Sequence, residues 1–534
     1  MSSSLTPSAA IASGQTCVGL ELGSSRIKTM LIGLDHTVLA SGVADWENQL
    51  VGGLWTYSLE QVWTGIAAAW ENLQRDVQQR HGQPLTTTGQ LGISAMMHGY
   101  LAFDAAGQLL TPFRTWRNTN TSRAAAELSA TFGVNIPLRW SVAHLYQAVL
   151  DQEEHVPEIA YLCTLAGYVH WQLTGQKVLG IDDASGMFPV VGTPPGFNSE
   201  LMERFDQLPA VLPLPWTLPK IMPQVLVAGQ AAGQLNAQGA AKLDPTGQLK
   251  PGAGCCPPEG DAGTGMVATG TVGLGSGNVS VGTSIFAMVV TDQTPPEPLP
   301  EIDMVATPDG LPVAMVHCNN GASELGDWAA LLTQFAEYLG AATTPDQVFA
   351  TLLQAALDGQ ADAGGYLAYN YLAGEPITGT TVGWPLVARR SGQPANLADF
   401  ARAQVYGVYA TLRLGMDLLA GQGIKPDNLL AHGGLFKTPV VAQRFLAAAL
   451  NVPVTVGQAA GDGGAWGMAV LAAYQLATGG NQPLPDYLSQ QVFQTADFTT
   501  LEPDPTDVAG FESHLAHYRA GLAMERAIGQ IASD

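Results

Sequence analysis

The chain is short of positive charge: 22 Lys and Arg stand against 45 Asp and Glu in 534 residues, a formal net charge of −23. No basic stripe is present to neutralise phosphates along a duplex or an anionic bilayer, which argues against nucleic-acid and lipid-surface binding. Cysteine is scarce as well. Five are present, with Cys255 and Cys256 adjacent and Cys17, Cys163 and Cys318 scattered. That pattern supports neither a disulfide framework nor a zinc site, and it fits a reducing compartment. No apolar run approaches the length of a membrane span. Residues Met1 to Gly14 have no basic start and no apolar stretch, so they read as a frayed tail rather than a signal peptide, and the expected location is cytoplasmic.

Several familiar catalytic signatures are also missing. The chain has no Gly-Lys-Ser/Thr phosphate loop, no Gly-x-Ser-x-Gly nucleophile turn and no Cys-x-x-Cys pair. Gly263-Thr264-Gly265-Met266-Val267-Ala268 fits a dinucleotide fingerprint by letter. The preceding residues Cys255 to Asp261 contain two prolines and are expected to form no strand, which argues against that reading. His514 and His517 lie at helical spacing with no third ligand nearby, so they read as solvated rather than metal-bound.

What is present is a folded, apolar chain, 46% hydrophobic with 11 Trp, whose length allows two to four domains. Two segments repeat one pattern. In Val18 to Lys28 an apolar run breaks at Gly23-Ser24-Ser25 and resumes; in Val279 to Val290 the break is Gly282-Thr283-Ser284. Backbone amides converging at such a glycine turn, with flanking hydroxyls, can hold phosphate oxygens. The recurrence points to a duplicated fold, with phosphate held by its two halves.

Between the turns the chain alternates helix and short strand, as an α/β domain does. Leu59, Val62, Trp63, Ile66, Trp70, Leu73 and Val77 mark a core-facing helix with Ser58 at its start and Gly82 past its end. Leu91 to Ser94 reads as a strand, followed by the loop Met96-Met97-His98-Gly99 and a hairpin from Tyr100 to Leu110. In such sheets ligands sit beyond strand ends, which draws attention to Met97, His98 and Trp116-Arg117-Asn118. A proline-rich connection leads to Glu259-Gly260-Asp261-Ala262-Gly263-Thr264-Gly265, read as a glycine-rich loop with one carboxylate, Asp261, among residues too small to cover it. Further on, Phe400 to Leu419 form a buried-face helix. Leu429 to His432 form a strand running into Gly433-Gly434, then come a helix from Pro439 to Leu450, a strand from Val452 to Val456 and a Gly/Ala-rich stretch from Gly461 to Ala473. The double glycine would let a nucleotide base or ribose approach the backbone.

Taken in order, Gly23-Ser24-Ser25-Arg26-Ile27-Lys28, Met97-His98-Gly99, Trp116-Arg117-Asn118, Gly260-Asp261, Gly282-Thr283-Ser284 and Gly433-Gly434 resemble the FGGY family of carbohydrate kinases. The Met-His-Gly loop and the run from Asp183 to Gly186 look most like its xylulokinase branch. The resemblance implies an α/β fold of two actin-like (ribonuclease H-like) domains, residues 15–271 and 272–534, with a ligand cleft between them. It also implies transfer of the γ-phosphate of ATP, with Mg²⁺, to a hydroxyl of a small sugar, a ketopentose in the first instance. Asp261 would be the general base. Met97, His98, Trp116, Asn118, Asp183 and Asp261 would line the sugar site. Gly23, Ser24, Ser25, Lys28, Gly282, Thr283, Ser284, Gly433 and Gly434 would hold the nucleotide, and Glu21 and Asp261 the metal.

Two departures stand out: Glu21 replaces the family's usual Asp at the metal position, and Trp140-Ser141-Val142-Ala143-His144-Leu145 stands where a Lys-containing signature is usual. Alternatives are a kinase for another polyol or ketose such as ribulose, or a silent sugar-binding relative. The expected partners are the sugar and ATP, with a homodimer left open.

Overall fold

The computed structural model describes residues 5–293, 295, 297–457 and 463–531, so Met1 to Ser4 and Gly461 lie outside the described residues. Two units are distinguished: Met1–Gly273 with Met304–Val313 and Ala459–Thr495, and Leu274–Asp303 with Ala314–Gln458 and Ala496–Asp534. The division is therefore not a single cut near residue 271. Two later segments return to the first unit.

The first unit is built on a six-stranded sheet. Thr16–Leu22 and Arg26–Gly33 form an antiparallel hairpin, in which Glu21 stands opposite Lys28. On its other side Thr16–Leu22 runs parallel to Gln90–Ala95, with Leu22 opposite Ala95. Gln90–Ala95 in turn runs parallel to Gly254–Cys255 and Glu259–Gly260. The expectation of no strand around the two prolines is corrected: a two-residue strand lies on each side of them, because only the Pro residues themselves lack the N–H a ladder needs. Three parallel strands thus deliver Gly23, Met96 and Asp261 to one end of the sheet.

Helices cover both faces. Leu59–His81 starts with a capping box between Ser58 and Gln61, ends on left-handed Gly82, and buries Val62, Ile66, Ala69, Trp70, Leu73 and Val77. It lies so close to the strand Val38–Asp45 that a Cβ at Gly42 would fall 2.2 Å from the Ala69 carbonyl oxygen. Helix Gly463–Thr478 does the same at Gly19, where a Cβ would fall 2.0 Å from the Ala465 oxygen. Glycine at these two strand positions sets the helix-to-sheet spacing.

The second unit's seven-stranded sheet repeats the plan. Ser276–Val281 and Ile285–Val290 form an antiparallel hairpin, and Asn428–Gly433 runs parallel to the first of them, with Val281 opposite Gly433. Gly433 has φ 116°, and a Cβ there would meet the Val281 oxygen at 2.1 Å, so only glycine brings this strand end so near the hairpin turn.

Other expectations need correction. The N-terminal tail is ordered from Pro7 to Ser13 as a helix capped by Thr6, because Ile11 is fully buried. His514 is 1% exposed rather than solvated, since Tyr406, Phe511 and Tyr518 pack around its ring. Among the described residues no helix is long and apolar enough to cross a membrane.

Candidate functional site

The turn Gly23-Ser24-Ser25 is closed by the Gly23 amide donating to the Arg26 oxygen at 2.9 Å. Its carbonyls are engaged from behind. Trp46 Nε1 donates to Gly23 O at 2.7 Å, Tyr57 hydroxyl to Ser24 O at 2.5 Å, and the Trp46 amide to Ser25 O at 3.1 Å. Trp46 and Tyr57 stack at 4.0 Å, which stiffens this support. With the acceptors occupied, the exposed tip presents the hydroxyls of Ser24 and Ser25. The second turn is held alike: the amides of Gly321 and Ala322 donate to Thr283 O at 2.7 Å and Gly282 O at 2.8 Å, and Gly282 and Thr283 are exposed. Two turns with occupied carbonyls and open donors suit anions.

Asp261 is not in a loop: it is the first residue of the helix Asp261–Thr269. Glycines 263 and 265 weaken that helix intrinsically, but packing against Gly463–Thr478 overrides them, Gly467 lying close enough that a Cβ there would fall 2.1 Å from the Thr264 oxygen. Asp261 Oδ1 accepts a hydrogen bond from the Met97 amide at 3.2 Å. Solvent reaches the side chain, yet protein atoms crowd around it. Desolvation first, and the Glu21 carboxylate second, raise its pKa to about 6, against the Met97 amide, which lowers it. Glu21 in turn pairs with Lys28 Nζ at 3.5 Å. Glu21, Lys28, Met97 and Asp261 are therefore brought together beside the first turn.

Other expected residues are placed differently. His98 is buried at φ 69°, with Arg139 Nε donating to its Nε2 at 3.1 Å and its Nδ1 within 3.2 Å of Gly186 O. Since Nε2 accepts, Nδ1 carries the proton and donates to Gly186. Burial and the Arg139 charge lower its pKa to about 3, so the ring stays neutral with both nitrogens used by the protein. Asn118 is likewise spent: its Oδ1 accepts from the Trp55 amide at 2.9 Å, and its Nδ2 donates to Trp55 O at 2.8 Å and Thr115 O at 3.0 Å. It clamps the Trp55 strand, over whose ring Arg117 stacks at 3.6 Å. This corrects its expected role of reading a sugar hydroxyl. Trp116, 38% exposed, remains available as an apolar wall.

Asp183 is fully buried, and Thr164 Oγ1 donates to its Oδ2 at 2.5 Å while its Oδ1 has no hydrogen-bond partner. It stands with two carboxyls that the sequence did not single out, Asp182 and Glu259, both fully buried. Nothing in the local sequence marks them as interior, since their neighbours are brought in from distant elements. Desolvation raises Asp183 to about 7 and also raises Asp182 and Glu259. A carboxyl whose folded pKa lies above its unfolded value of about 4 binds its proton preferentially in the folded state. Its stabilising contribution is complete below the unfolded value and disappears as pH rises through about 7. The melting temperature should therefore be higher at pH 6 than at pH 8, and Asp183→Asn should flatten that dependence; thermal melts of both proteins check this.

Among the described residues no group of three or more His, Cys, Asp and Glu could hold a metal ion. The Glu21 and Asp261 carboxylates nevertheless fit a cation that arrives with phosphates, as Mg²⁺ commonly takes one or two carboxylates and keeps its other positions for water and phosphate.

With this geometry in hand, likeness to known proteins is informative. Residues 277–476 match the C-terminal domain of the FGGY family of carbohydrate kinases. The chain is 21% identical over 469 residues to the xylulose kinase of Staphylococcus xylosus, covering 85% of this chain and 90% of that one. It is 24% identical over 442 residues to the xylulose kinase of Klebsiella pneumoniae, covering 78% and 81%. In fold it is similar to the ligand-bound xylulose kinase of Lactobacillus acidophilus, with a TM-score of 0.77 at 18% identity over 97% of this chain and 99% of that one. The glycerol kinase of Plasmodium falciparum with ADP gives 0.69 at 13% identity over 96% and 98%. The α/β architecture is thus the two-domain actin-like, ribonuclease H-like one. From these matches, residues 277–476 form a C-terminal domain of the FGGY family, and the chain along most of its length is similar to carbohydrate kinases of that family.

Proposed function

We propose that the protein transfers the γ-phosphate of ATP to a hydroxyl of a small sugar of the ketopentose class, xylulose first, with Asp261 as general base. The observation that carries this reading is the setting of Asp261: a carboxylate at the end of three parallel strands, held by the Met97 amide, with its pKa raised to about 6. A base near the working pH takes a proton efficiently yet is ionised when the sugar binds. In the step, the sugar oxygen attacks phosphorus as its proton passes to an Asp261 oxygen, and the bond from the γ-phosphorus to the bridging oxygen breaks, leaving ADP. The protein's work is otherwise positioning and charge stabilisation.

The open donors of Ser24, Ser25, Thr283 and Ser284, with Lys28, are assigned to the nucleotide phosphates, and Gly433 and Gly434 to the adenosine. Mg²⁺ brought with ATP would neutralise phosphate charge, with Glu21 and Asp261 as its carboxylates. Trp116 forms an apolar wall for the sugar, while buried Met97, His98 and Asn118 hold the loops beside it. Xylulose kinases among the relatives favour this sugar class over glycerol.

A coupled ADP-release assay over ketopentoses, polyols, aldoses and glycerol tests the reading; no release with any sugar would return the chain to a silent sugar-binding role. One variant isolates the cation. Glu21→Gln should raise the Mg²⁺ concentration needed for half-maximal rate more than it raises the sugar KM, because the lost charge acts on the ion. An unchanged Mg²⁺ titration would make Glu21 a structural partner of Lys28.

A further inference from the structure

The helix that carries Asp261 begins without a cap of its own. Its N-cap residue is Gly260, which has no side chain to accept from the first free amides, and the first turn of a helix leaves several such donors unsatisfied. The missing acceptor comes from elsewhere in the chain. Asp182, on the short helix Ile181–Ser185, is fully buried, and its Oδ2 accepts from the Gly260 amide at 2.8 Å. The amide of Gly263, the third residue of the helix, also acts on this carboxyl and favours its charged form. An N-cap side chain ordinarily accepts from the second or third residue of its own helix; Asp182 instead accepts from the amide of the N-cap residue Gly260, with Gly263 packed against its carboxyl.

The local sequence is shaped for this contact. A Cβ at Gly263 would lie 2.4 Å from Asp182 Cγ, and one at Gly260 would lie 2.9 Å from Asp182 Oδ2 and 2.3 Å from Met97 Cγ. Glycine at both positions leaves the room that the carboxyl occupies. Asp182 is itself held in place: Ser185 Oγ donates to its carbonyl oxygen at 2.5 Å, and the Ala306 amide donates to Ser185 Oγ at 3.1 Å. The other side of the arrangement is filled by Glu259, whose carboxyl lies where a Cβ at Gly180 would otherwise sit, 2.0 Å away.

We infer that Asp182 is a positioning residue for Asp261: it caps the first turn of the Asp261–Thr269 helix from outside and fixes the backbone from which the Asp261 carboxylate projects. This inference rests on the proposed role of Asp261. The Met97 amide orients the carboxylate itself, and Asp182 holds the turn beneath it. Loss of the second support would leave sugar and ATP binding largely in place while displacing the base, and small displacements of a catalytic group cost up to roughly 10²-fold in rate.

The test pairs two variants of the full chain, Asp182→Ala and Asp182→Asn, the latter keeping an oxygen for the Gly260 amide. In the ADP-release assay with the best sugar, Asp182→Ala is expected to lower kcat by roughly 10- to 100-fold, with both KM values within about threefold of the parent. Asp182→Asn is expected to restore kcat to within about threefold of the parent. Parental kcat in Asp182→Ala, a loss carried by KM, or an Asn variant as slow as the Ala variant would each overturn the assignment. Hydrogen exchange of the peptide covering 261–269 separates this from the kinase reading. It should quicken in Asp182→Ala and not in Asp182→Asn even if the parent phosphorylates no sugar, and unchanged exchange would overturn the cap.

Discussion

Asp261→Asn is expected to lower turnover by roughly 10²- to 10⁴-fold, the usual worth of a general base, while leaving the sugar and ATP KM values close to those of the parent. The Asn side chain keeps an oxygen for the Met97 amide, so the helix start is preserved and only the proton acceptor is lost. That factor corresponds to about 3–5 kcal/mol of transition-state stabilisation. Positioning and phosphate contacts survive the change, which is why a residual rate is expected. The pH dependence supplies a second signature. In the parent, kcat/KM should fall about tenfold per pH unit below about 6, because protonated Asp261 cannot accept the sugar proton. The variant should lack that limb. Steady-state rates between pH 5 and 8 check both points, and turnover within a few-fold of the parent would remove Asp261 from the mechanism.

The second large effect concerns substrate class. At least one ketopentose should exceed glycerol in kcat/KM by more than roughly 10²-fold, since glycerol lacks two carbons and each carbon lost from an apolar contact costs roughly 10- to 200-fold. The difference should arise over the apolar wall of Trp116, which gives a longer carbon chain a surface that glycerol is too short to cover. His98 and Asn118 contribute by rigidity rather than by contact, their polar atoms being committed to Gly186, Arg139, Trp55 and Thr115. Initial rates over the sugar panel decide the matter. Glycerol or an aldohexose as best substrate would reject the ketopentose assignment while leaving the kinase intact.

The parts of this site that were legible in the sequence are those whose signal is local. Both turns could be found because a glycine and two hydroxyl residues interrupt strand-like apolar runs, and the register then places Gly23 and Met96 side by side. Asp261 drew attention through its small neighbours, although the same glycines disguised a helix as a loop. Its helical state depends on Gly463–Thr478, which reaches it from some two hundred residues downstream.

Roles set by distant partners were not legible. Asn118 carries the composition of a sugar-binding residue, but its hydrogen bonds go to Trp55, 63 residues away. His98 is engaged by Gly186, 88 residues away, and Asp182 meets Gly260 across 78. No spacing rule connects such pairs, because the sheet and its crossovers bring them together. His514 shows the same limit: an isolated helical spacing suggested exposure, and the rings of Tyr406 and Phe511 bury it.

Phosphorus NMR of the unmodified protein with ATP, Mg²⁺ and xylulose observes phosphoryl transfer from ATP to the sugar directly. The expected spectrum shows ADP and one sugar phosphate ester growing in equal amounts as ATP declines, with neither appearing when the sugar is left out. ATP that persists beside every sugar of the panel, or ADP that forms with inorganic phosphate regardless of sugar, would contradict it.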